Sequence, residues 1–262
     1  MTNLSGKVAL VTGGARGLGG GIALALAREK VKVAAADIIG VDSVEFQDLL
    51  HKASDEGVEI SPFNLDVTDT VSVAKVIEKT LSRFGQLDIL VNAAGVISVS
   101  LVSELEEQEW DRVMDVNAKG VFLCCKAVLP HLIDRGEGRI INIASVAGKM
   151  GRHGLAHYSA SKHAVLGFTK SLAYEMAPYS VTVNAVNPGI IKTFMWEKVL
   201  TPHFAKQQGS HPESTFESII EERIPLGRPQ TLEDISQAVI FLCKAPNITG
   251  CSLTVDGGYT ML

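Results

Sequence analysis

The sequence is poor in cysteine, with four in 262 residues. Cys124 and Cys125 are neighbours in an apolar stretch, and no Cys-x-x-Cys pair occurs. A disulfide framework and a cysteine metal site are therefore not expected. His203 and His211 lie in a segment without clear periodicity, so no metal site is predicted there either. Reduced, buried thiols are typical of a cytoplasmic protein, and this is the location we expect.

Runs of positive charge and long apolar runs are also missing. The net charge is −5, and no block of five or more Lys or Arg residues occurs. Because phosphate neutralisation needs clustered cations, no nucleic-acid partner is expected. Residues 1–7 are polar and lead directly into an apolar strand pattern. With no apolar run of about 20 residues, the sequence predicts neither a signal peptide nor a membrane partner.

Apolar strand patterns alternate with helical patterns along the whole chain. Residues 31–37 read as a strand, for example, and residues 71–84 repeat apolar side chains at helical spacing. This alternation predicts an α/β protein whose parallel sheet is covered by helices on both faces. With right-handed crossovers, the fold is a doubly wound sheet of the Rossmann type. Nothing divides residues 1–262, so we expect a single domain.

Residues 194–228 interrupt this alternation. The segment is rich in His, Pro, Gln and Glu and is too long for a plain connection between a strand and a helix. In a doubly wound fold it would follow the carboxyl end of a strand, where ligands bind. We interpret it as a lid over the substrate, and a surface insertion without a role is the alternative.

A glycine-rich turn follows the first predicted strand. Gly13, Gly17 and Gly19 would allow a tight turn and a close approach of the backbone to a pyrophosphate. Arg16 and Leu18 belong to the same turn. The spacing differs from the more common Gly-x-Gly-x-x-Gly, and an ordinary loop is the alternative.

Asp37 ends the second predicted strand. An acid there would bind the ribose hydroxyls of an adenosine and repel a 2′-phosphate, which favours NAD over NADP. A helix-initiating aspartate is the alternative, and the positive charge of Arg16 weakens the preference. Asp66 and Val67, after the third strand, would meet the adenine edge, although they also suit a turn. Small residues that would lie beside the cofactor follow the fourth strand: Asn92, Ala93, Ala94 and Gly95.

Tyr158 and Lys162 lie four positions apart in a predicted helix, so their side chains share a face. An adjacent ammonium lowers the pKa of a phenol, which would let Tyr158 exchange a proton with a substrate near neutral pH. Taken alone, this spacing occurs by chance on many helices, and a solvated lysine is the alternative. The glycine turn, Asp37 and the upstream Ser145 favour the catalytic interpretation.

Together, these motifs resemble the short-chain dehydrogenase/reductase family. The matching residues, in chain order, are Thr12, Gly13, Gly17, Gly19, Asn92, Ala93, Ala94, Gly95, Asn117, Ser145, Tyr158, Lys162, Pro188 and Gly189. Ser145 precedes Tyr158 by 13 positions, the usual interval in the family. The resemblance extends to residues 255–258 and so covers nearly the whole chain. Gly20 and Ala93 depart from residues that the family often carries, and neither touches the chemistry.

The resemblance implies a role for each of these residues. Tyr158 would be the general acid in reduction and the general base in oxidation. Lys162 would hold the nicotinamide ribose, Ser145 would hydrogen-bond the substrate carbonyl oxygen, and Asn117 would support a water chain to solvent. Further contacts to the cofactor would come from the turn after a later strand: Pro188, Gly189, Ile191 and Thr193.

Three classes of function remain open. The first is an NAD-dependent dehydrogenase of a small secondary alcohol, polyol or hydroxyketone, because residues 192–196 resemble the corresponding run of acetoin and polyol dehydrogenases. The second is an NADPH-dependent reductase of 3-oxoacyl thioesters on a carrier protein, which Asp37 disfavours. The third is a non-catalytic dinucleotide-binding protein, which the complete set of Asn117, Ser145, Tyr158 and Lys162 disfavours. The resemblance also implies a homotetramer.

Overall fold

One parallel sheet organises the protein. A computed structural model describes residues 2–261. The strands within this range are β1 (Val8–Thr12), β2 (Lys32–Asp37), β3 (Ile60–Asn64), β4 (Ile89–Asn92), β5 (Gly138–Ile143), β6 (Val181–Pro188) and β7 (Ser252–Val255). Their order is β3-β2-β1-β4-β5-β6-β7, and every neighbouring pair is parallel. This architecture confirms the predicted doubly wound α/β fold.

The helices of the described residues connect these strands. They are α1 (Gly17–Arg28), α2 (Val44–Asp55), α3 (Thr70–Phe84), α4 (Glu107–Met114), α5 (Gly120–Arg135), α6 (Ala156–Met176), α7 (Thr201–Gln208), α8 (Pro212–Arg223) and α9 (Leu232–Lys244). Local sequence sets several of their ends. The side chains of Ser43 and Asp69 accept backbone N–H groups at the starts of α2 and α3, and Gly85 ends α3 in a left-handed conformation.

The sheet has an apolar core on each face. In β1, Val8 and Leu10 pack on one face with α3, α5 and α6, whereas Ala9 and Val11 pack on the other with α1, α2 and α9. Side chains alternate along a strand, and here both sets are buried, which is why the strands read as continuous apolar runs.

A π-helical turn at Asp115–Lys119 joins α4 to α5, so the three together form one continuous helical run. By length and composition alone, the run Glu107–Arg135 would also suit a membrane span. In this fold the buried side chains of α5, including Cys125, Val128 and Leu132, pack into the core beside the sheet. The length and composition of one core helix are therefore weak evidence for a membrane segment.

The segment predicted as a lid contains two helices that the sequence did not predict. A π-helical turn at Trp196–Leu200 precedes α7, and α8 follows it. Pro202 and Pro212 interrupt the pattern of the sequence, but each lies in the first turn of its helix, where a missing N–H costs nothing. Helix α8 buries only a narrow set of residues, so its apolar periodicity is weak.

Candidate active site

A cavity of about 550 Å³ lies at the carboxyl ends of the strands, beside the point where the strand order reverses between β1 and β4. Ligands of open α/β sheets bind at such a point. The predicted site residues that line this cavity are Gly13, Arg16, Gly17, Leu18, Gly19, Asp37, Asp66, Val67, Ala93, Gly95, Ser145, Tyr158, Lys162, Pro188, Gly189, Ile191 and Thr193. Asn92 and Asn117, also predicted, lie outside the lining.

The glycine turn after β1 requires glycine at several positions. Gly13 has φ +64°, and a Cβ there would lie 2.7 Å from the Cα of Ala94. A Cβ on Gly19 would lie 2.1 Å from the carbonyl oxygen of Gly13. Gly21 serves packing instead, because a Cβ there would press against Leu232 of α9. The turn thus brings the N-terminus of α1 to the cavity, and a dinucleotide pyrophosphate fits this cradle of N–H groups.

Asp37 is held by two backbone donors at the end of β2. The Ala15 N–H donates to its Oδ2 at 3.1 Å, and the Ile39 N–H donates to its Oδ1 at 3.2 Å. Arg16 is engaged elsewhere: its guanidinium pairs with Glu45 at 3.1 Å and lies 4.4 Å from the centre of the Phe194 ring. The carboxylate of Asp37 therefore has no ion pair with the nearby arginine.

Asp66 and Val67 lie in the cavity wall after β3. The Oδ1 of Asp66 accepts from the N–H of Thr68 at 2.9 Å and from its hydroxyl at 2.7 Å. This is the turn geometry that the sequence left open as an alternative, and it coexists with a place in the lining. Thr12 organises the next wall, since its Oγ1 accepts from the N–H groups of Ala93 and Ala94.

The side chain of Asn92 points away from the cavity, so the expectation that it contacts the cofactor is corrected for the side chain. Its Nδ2 donates to Oδ1 of Asn142 at 2.9 Å and to Sγ of Cys125 at 3.3 Å, inside the core. Asn117 is buried as well. Its Oδ1 accepts from the Val96 N–H at 2.8 Å and its Nδ2 donates to the Val96 carbonyl at 2.9 Å. Asn117 thus fixes the backbone of Val96, whereas Asn92 links β4 to side chains of β5 and α5.

Ser145, Tyr158 and Lys162 meet within the cavity. Ser145 follows β5, and the other two lie one turn apart on α6. The Nζ of Lys162 donates to the carbonyl oxygen of Ile143 at 2.9 Å and lies 5.7 Å from the centre of the Tyr158 ring. Tyr158 and Lys162 are 8% and 5% exposed, so both ionisable groups stand in a low-dielectric wall. The arrangement places the Tyr158 phenol, a proton donor, in the same cavity as the polar groups of Ser145 and Lys162.

The pKa of Tyr158 differs from the sequence expectation. Burial raises it to about 12, and the Ser145 hydroxyl opposes the rise only in part. Burial also lowers the pKa of Lys162 to about 8. The prediction that the ammonium depresses the phenol pKa is therefore wrong, because burial sets the direction of the shift. Removal of each group from water disfavours its charged form.

The turn after β6 forms the opposite wall. A Cβ on Gly189 would lie 2.4 Å from Oε1 of Gln230 and 2.8 Å from the Cα of Asp256, so only glycine fits there. Ile191 forms a bridge to Gln230, which anchors the start of the lid. Thr193 is then held at the cavity edge.

Residues that the sequence analysis missed also line the cavity, among them Arg223 at the end of α8 and Tyr259 near the end of the chain. Arg223 could not be found because α8 was not predicted. Tyr259 follows Gly257 and Gly258, and an aromatic residue after this tight turn is the signal that could have indicated it. Within residues 2–261, no group of three or more His, Cys, Asp or Glu residues is arranged to hold a metal ion.

Comparison with known proteins shows the family of this chain. The family model described as short chain dehydrogenase matches residues 7–203. A 3-oxoacyl-(acyl-carrier-protein) reductase FabG of Thermotoga maritima is 39% identical over 259 residues, which cover 97% of this chain and 98% of the relative. A 3-oxoacyl-(acyl-carrier-protein) reductase of Synechocystis is also 39% identical and covers both chains fully. The corresponding FabG of Staphylococcus epidermidis is 38% identical over 257 residues.

The chain therefore belongs to the short-chain dehydrogenase family, which confirms the resemblance inferred from its motifs. Members of this family are oxidoreductases that interconvert carbonyl and CH–OH groups with a nicotinamide cofactor. The glycine cradle, the fixed Asp37 and the cavity along the strand ends fit such a dinucleotide.

Proposed function

We propose that the protein reduces the 3-oxo group of an acyl thioester and that NADH is its preferred cofactor. The observation that supports the reaction is the meeting of Ser145, Tyr158 and Lys162 in one cavity. The substrate class is supported by the relatives, whose printed names are 3-oxoacyl reductases and which match this chain over 97% or more of its length. This substrate was the alternative of the sequence analysis, and the comparisons favour it over a small polyol.

Each residue has a defined part in this reaction. The reduced nicotinamide, when bound, supplies the hydride to the carbonyl carbon. Ser145 hydrogen-bonds the carbonyl oxygen, and Tyr158 donates its phenolic proton to that oxygen as negative charge develops there. Lys162 binds the ribose of the cofactor and places its positive charge beside the phenol. Asn117 acts through the backbone of Val96, which it holds with two hydrogen bonds.

The preference for NADH rests on Asp37. Its carboxylate is fixed by two N–H donors at the cavity edge, where it would accept both ribose hydroxyls of the adenosine and repel a 2′-phosphate. Arg16, the arginine of the glycine turn, already binds Glu45 and stacks on Phe194. Ile38 and Ile39 follow Asp37, so no cation comes next in the chain to receive a phosphate.

A second candidate function is the oxidation or reduction of a small hydroxyketone or polyol. The aromatic lining of the lid favours it. The ring centre of Trp196 lies 6.3 Å from that of Phe204, and both side chains line the cavity. A wall of two aromatic rings suits a short, largely apolar substrate.

One experiment separates these proposals. The purified protein is assayed for oxidation of NADH and of NADPH with acetoacetyl-CoA, diacetyl and acetoin. We expect the highest kcat/KM with acetoacetyl-CoA and NADH. Higher kcat/KM with diacetyl or acetoin would favour the second candidate, and equal or better kcat/KM with NADPH would refute the cofactor preference.

The variant Asp37→Ala tests the cofactor preference separately from the substrate. In Asp37→Ala the repulsion of the 2′-phosphate and the ribose hydrogen bonds are both lost, so the ratio of kcat/KM for NADH to that for NADPH should fall about tenfold or more. The matched control is Asp42→Ala, because Asp42 is an exposed acid outside the cavity lining. A ratio unchanged in Asp37→Ala would show that another group sets the preference.

A further inference from the structure

Four arginines line the cavity, and they differ in their partners. Arg16 pairs with Glu45, and Arg112 makes two hydrogen bonds of 2.6 and 2.7 Å to the carboxylate of Glu109. Arg152 and Arg223 are half-buried, and among residues 2–261 neither has a carboxylate within ion-pair distance. The hydrogen bond of Arg152 goes to the sulfur of Met150, which is a weak acceptor.

Arg152 contacts Tyr259, and Arg223 directly precedes a residue that packs in the same cluster as Tyr259. The guanidinium of Arg152 is 4.4 Å from the centre of the Tyr259 ring. Tyr259 also packs in one apolar cluster with Ile224, the residue directly after Arg223, and with Val146, the residue directly after Ser145. Both arginines line the cavity, and this cluster joins the chain beside each of them to the chain next to Ser145.

The charged residues of the cavity lining differ between its two ends. Its acidic residues are Asp37, which ends β2, and Asp66, which follows β3, both at the expected adenosine end. Among the described residues, no other acid lines the cavity, so the residues near Ser145 and Tyr259 include Arg152 and Arg223 but no lining acid. A partly desolvated guanidinium without a partner is unfavourable. Its fork of N–H donors matches the oxygens of a carboxylate or a phosphate.

We propose that Arg152 and Arg223 form an anion subsite that binds a negatively charged group of the substrate, a carboxylate or a phosphate, beyond the reacting carbonyl. This proposal rests on the proposed reduction of 3-oxoacyl compounds and names the feature by which the site selects among them. Two sources of the anion share this chemistry: a phosphate of the thioester carrier arm and the carboxylate of a free 3-oxo acid.

The test compares charged and uncharged substrates in matched variants. Wild type, Arg152→Gln, Arg223→Gln and Arg83→Gln are assayed with acetoacetyl-CoA, acetoacetate and the uncharged thioester S-acetoacetyl-N-acetylcysteamine. Arg83 is a control because it lies outside the cavity lining and pairs with Glu59. In Arg152→Gln and Arg223→Gln we expect kcat/KM to fall about tenfold or more for one of the charged substrates. In the same variants, kcat/KM for the uncharged thioester and the KM for NADH should change little.

The charged substrate that loses kcat/KM identifies the source of the anion, phosphate for acetoacetyl-CoA and carboxylate for acetoacetate. Equal losses on charged and uncharged substrates, or no loss, would overturn the proposal. A rise in the KM for NADH alone would also overturn it, because the arginines would then act on the cofactor.

A binding experiment keeps this test independent of turnover. CoA and acetoacetate are titrated by calorimetry into protein saturated with NADH, so that the adenosine site is already filled. Binding of either compound to wild type that weakens about tenfold in Arg152→Gln would support the anion subsite. If the wild-type protein binds neither compound, the proposed anion subsite is overturned. If one compound binds but is not reduced, the subsite stands and the proposed reaction fails.

Discussion

The protonation of Tyr158 and Lys162 decides how the two residues can act in each direction of the reaction. With a pKa of about 12, the Tyr158 phenol holds its proton at neutral pH, which is the form needed to reduce a ketone. Lys162, with a pKa of about 8, is the group of the pair that loses its charge in the accessible pH range. Alcohol oxidation needs the phenolate and therefore depends on the positive charges that a bound oxidised cofactor and Lys162 bring to the pocket.

Ketone reduction should therefore be flat with pH below about 8 and fall above it. As the pH rises through the pKa of Lys162, the ammonium becomes neutral while Tyr158 remains protonated. The measurement is kcat/KM for the ketone between pH 6 and 10 at saturating NADH. Lys162→Met should have a low kcat/KM for the ketone at every pH in this range, and its kcat/KM should not decline near pH 8. A wild-type rate that keeps rising above pH 8 would contradict this assignment.

The sequence predicted which residues lie together in the site, but it did not predict the direction in which the pKa of Tyr158 shifts. The spacing of Tyr158 and Lys162 was enough to place them on one face of a helix, because helix geometry is local. The sign of the Tyr158 shift could not be read in this way. It depends on burial by walls from distant parts of the chain, which include the turn after β5 and the lid. The direction of the Asn92 side chain likewise depends on Asn142 of the neighbouring strand.

At the scale of elements, the regular strands and helices were predictable and the lid was not. The strands are buried on both faces, so their apolar runs are continuous and easy to recognise. Helices α7 and α8 cover a cavity instead of a sheet, and they bury few residues each. Their amphipathic pattern is weak for this reason, and the anion subsite escaped notice because Arg223 ends α8.

Helix α9 supplies a prediction at this scale. Its capping box joins Thr231 and Asp234: the Thr231 hydroxyl accepts the Asp234 N–H at 3.1 Å, and the Asp234 carboxylate accepts the Thr231 N–H at 2.8 Å. Thr231→Ala should lower the free energy of unfolding by about 1 kcal/mol. For a domain of this size that is a fall of about 2–4 °C in Tm.

The control for this variant is Thr70→Ala, since Thr70 is an exposed residue in the first turn of α3 and the N-cap there is Asp69. Differential scanning calorimetry of the two variants makes the comparison. An equal Tm for Thr231→Ala and wild type would show that the capping box contributes nothing to stability.

At the scale of the whole molecule, α5 and α6 leave aromatic residues at the surface. Phe122 of α5 is 43% exposed and contacts Phe168 of α6 edge to face at 6.3 Å, and Tyr174 of α6 is 88% exposed. An exposed apolar face on two neighbouring helices is suited to a two-fold interface.

We predict that the protein is a homotetramer in solution, as the family resemblance implies. Light scattering coupled to gel filtration should give four times the mass of one chain. Phe122→Glu should shift the population towards smaller species, because it places a charge within the apolar face, while Phe241→Glu on α9 probes a different surface. A wild-type mass equal to that of one chain would contradict the prediction.

The central claim is that Tyr158 transfers the proton in a nicotinamide-dependent carbonyl reduction, and Tyr158→Phe tests it most directly. The substitution keeps the ring and removes the hydroxyl. With acetoacetyl-CoA and NADH, kcat should fall by about 10²–10⁴-fold, while the Kd of NADH, measured by fluorescence titration, should stay near the wild-type value. A Tyr158→Phe protein that folds, binds NADH and keeps most of its kcat would show that the proton comes from another group.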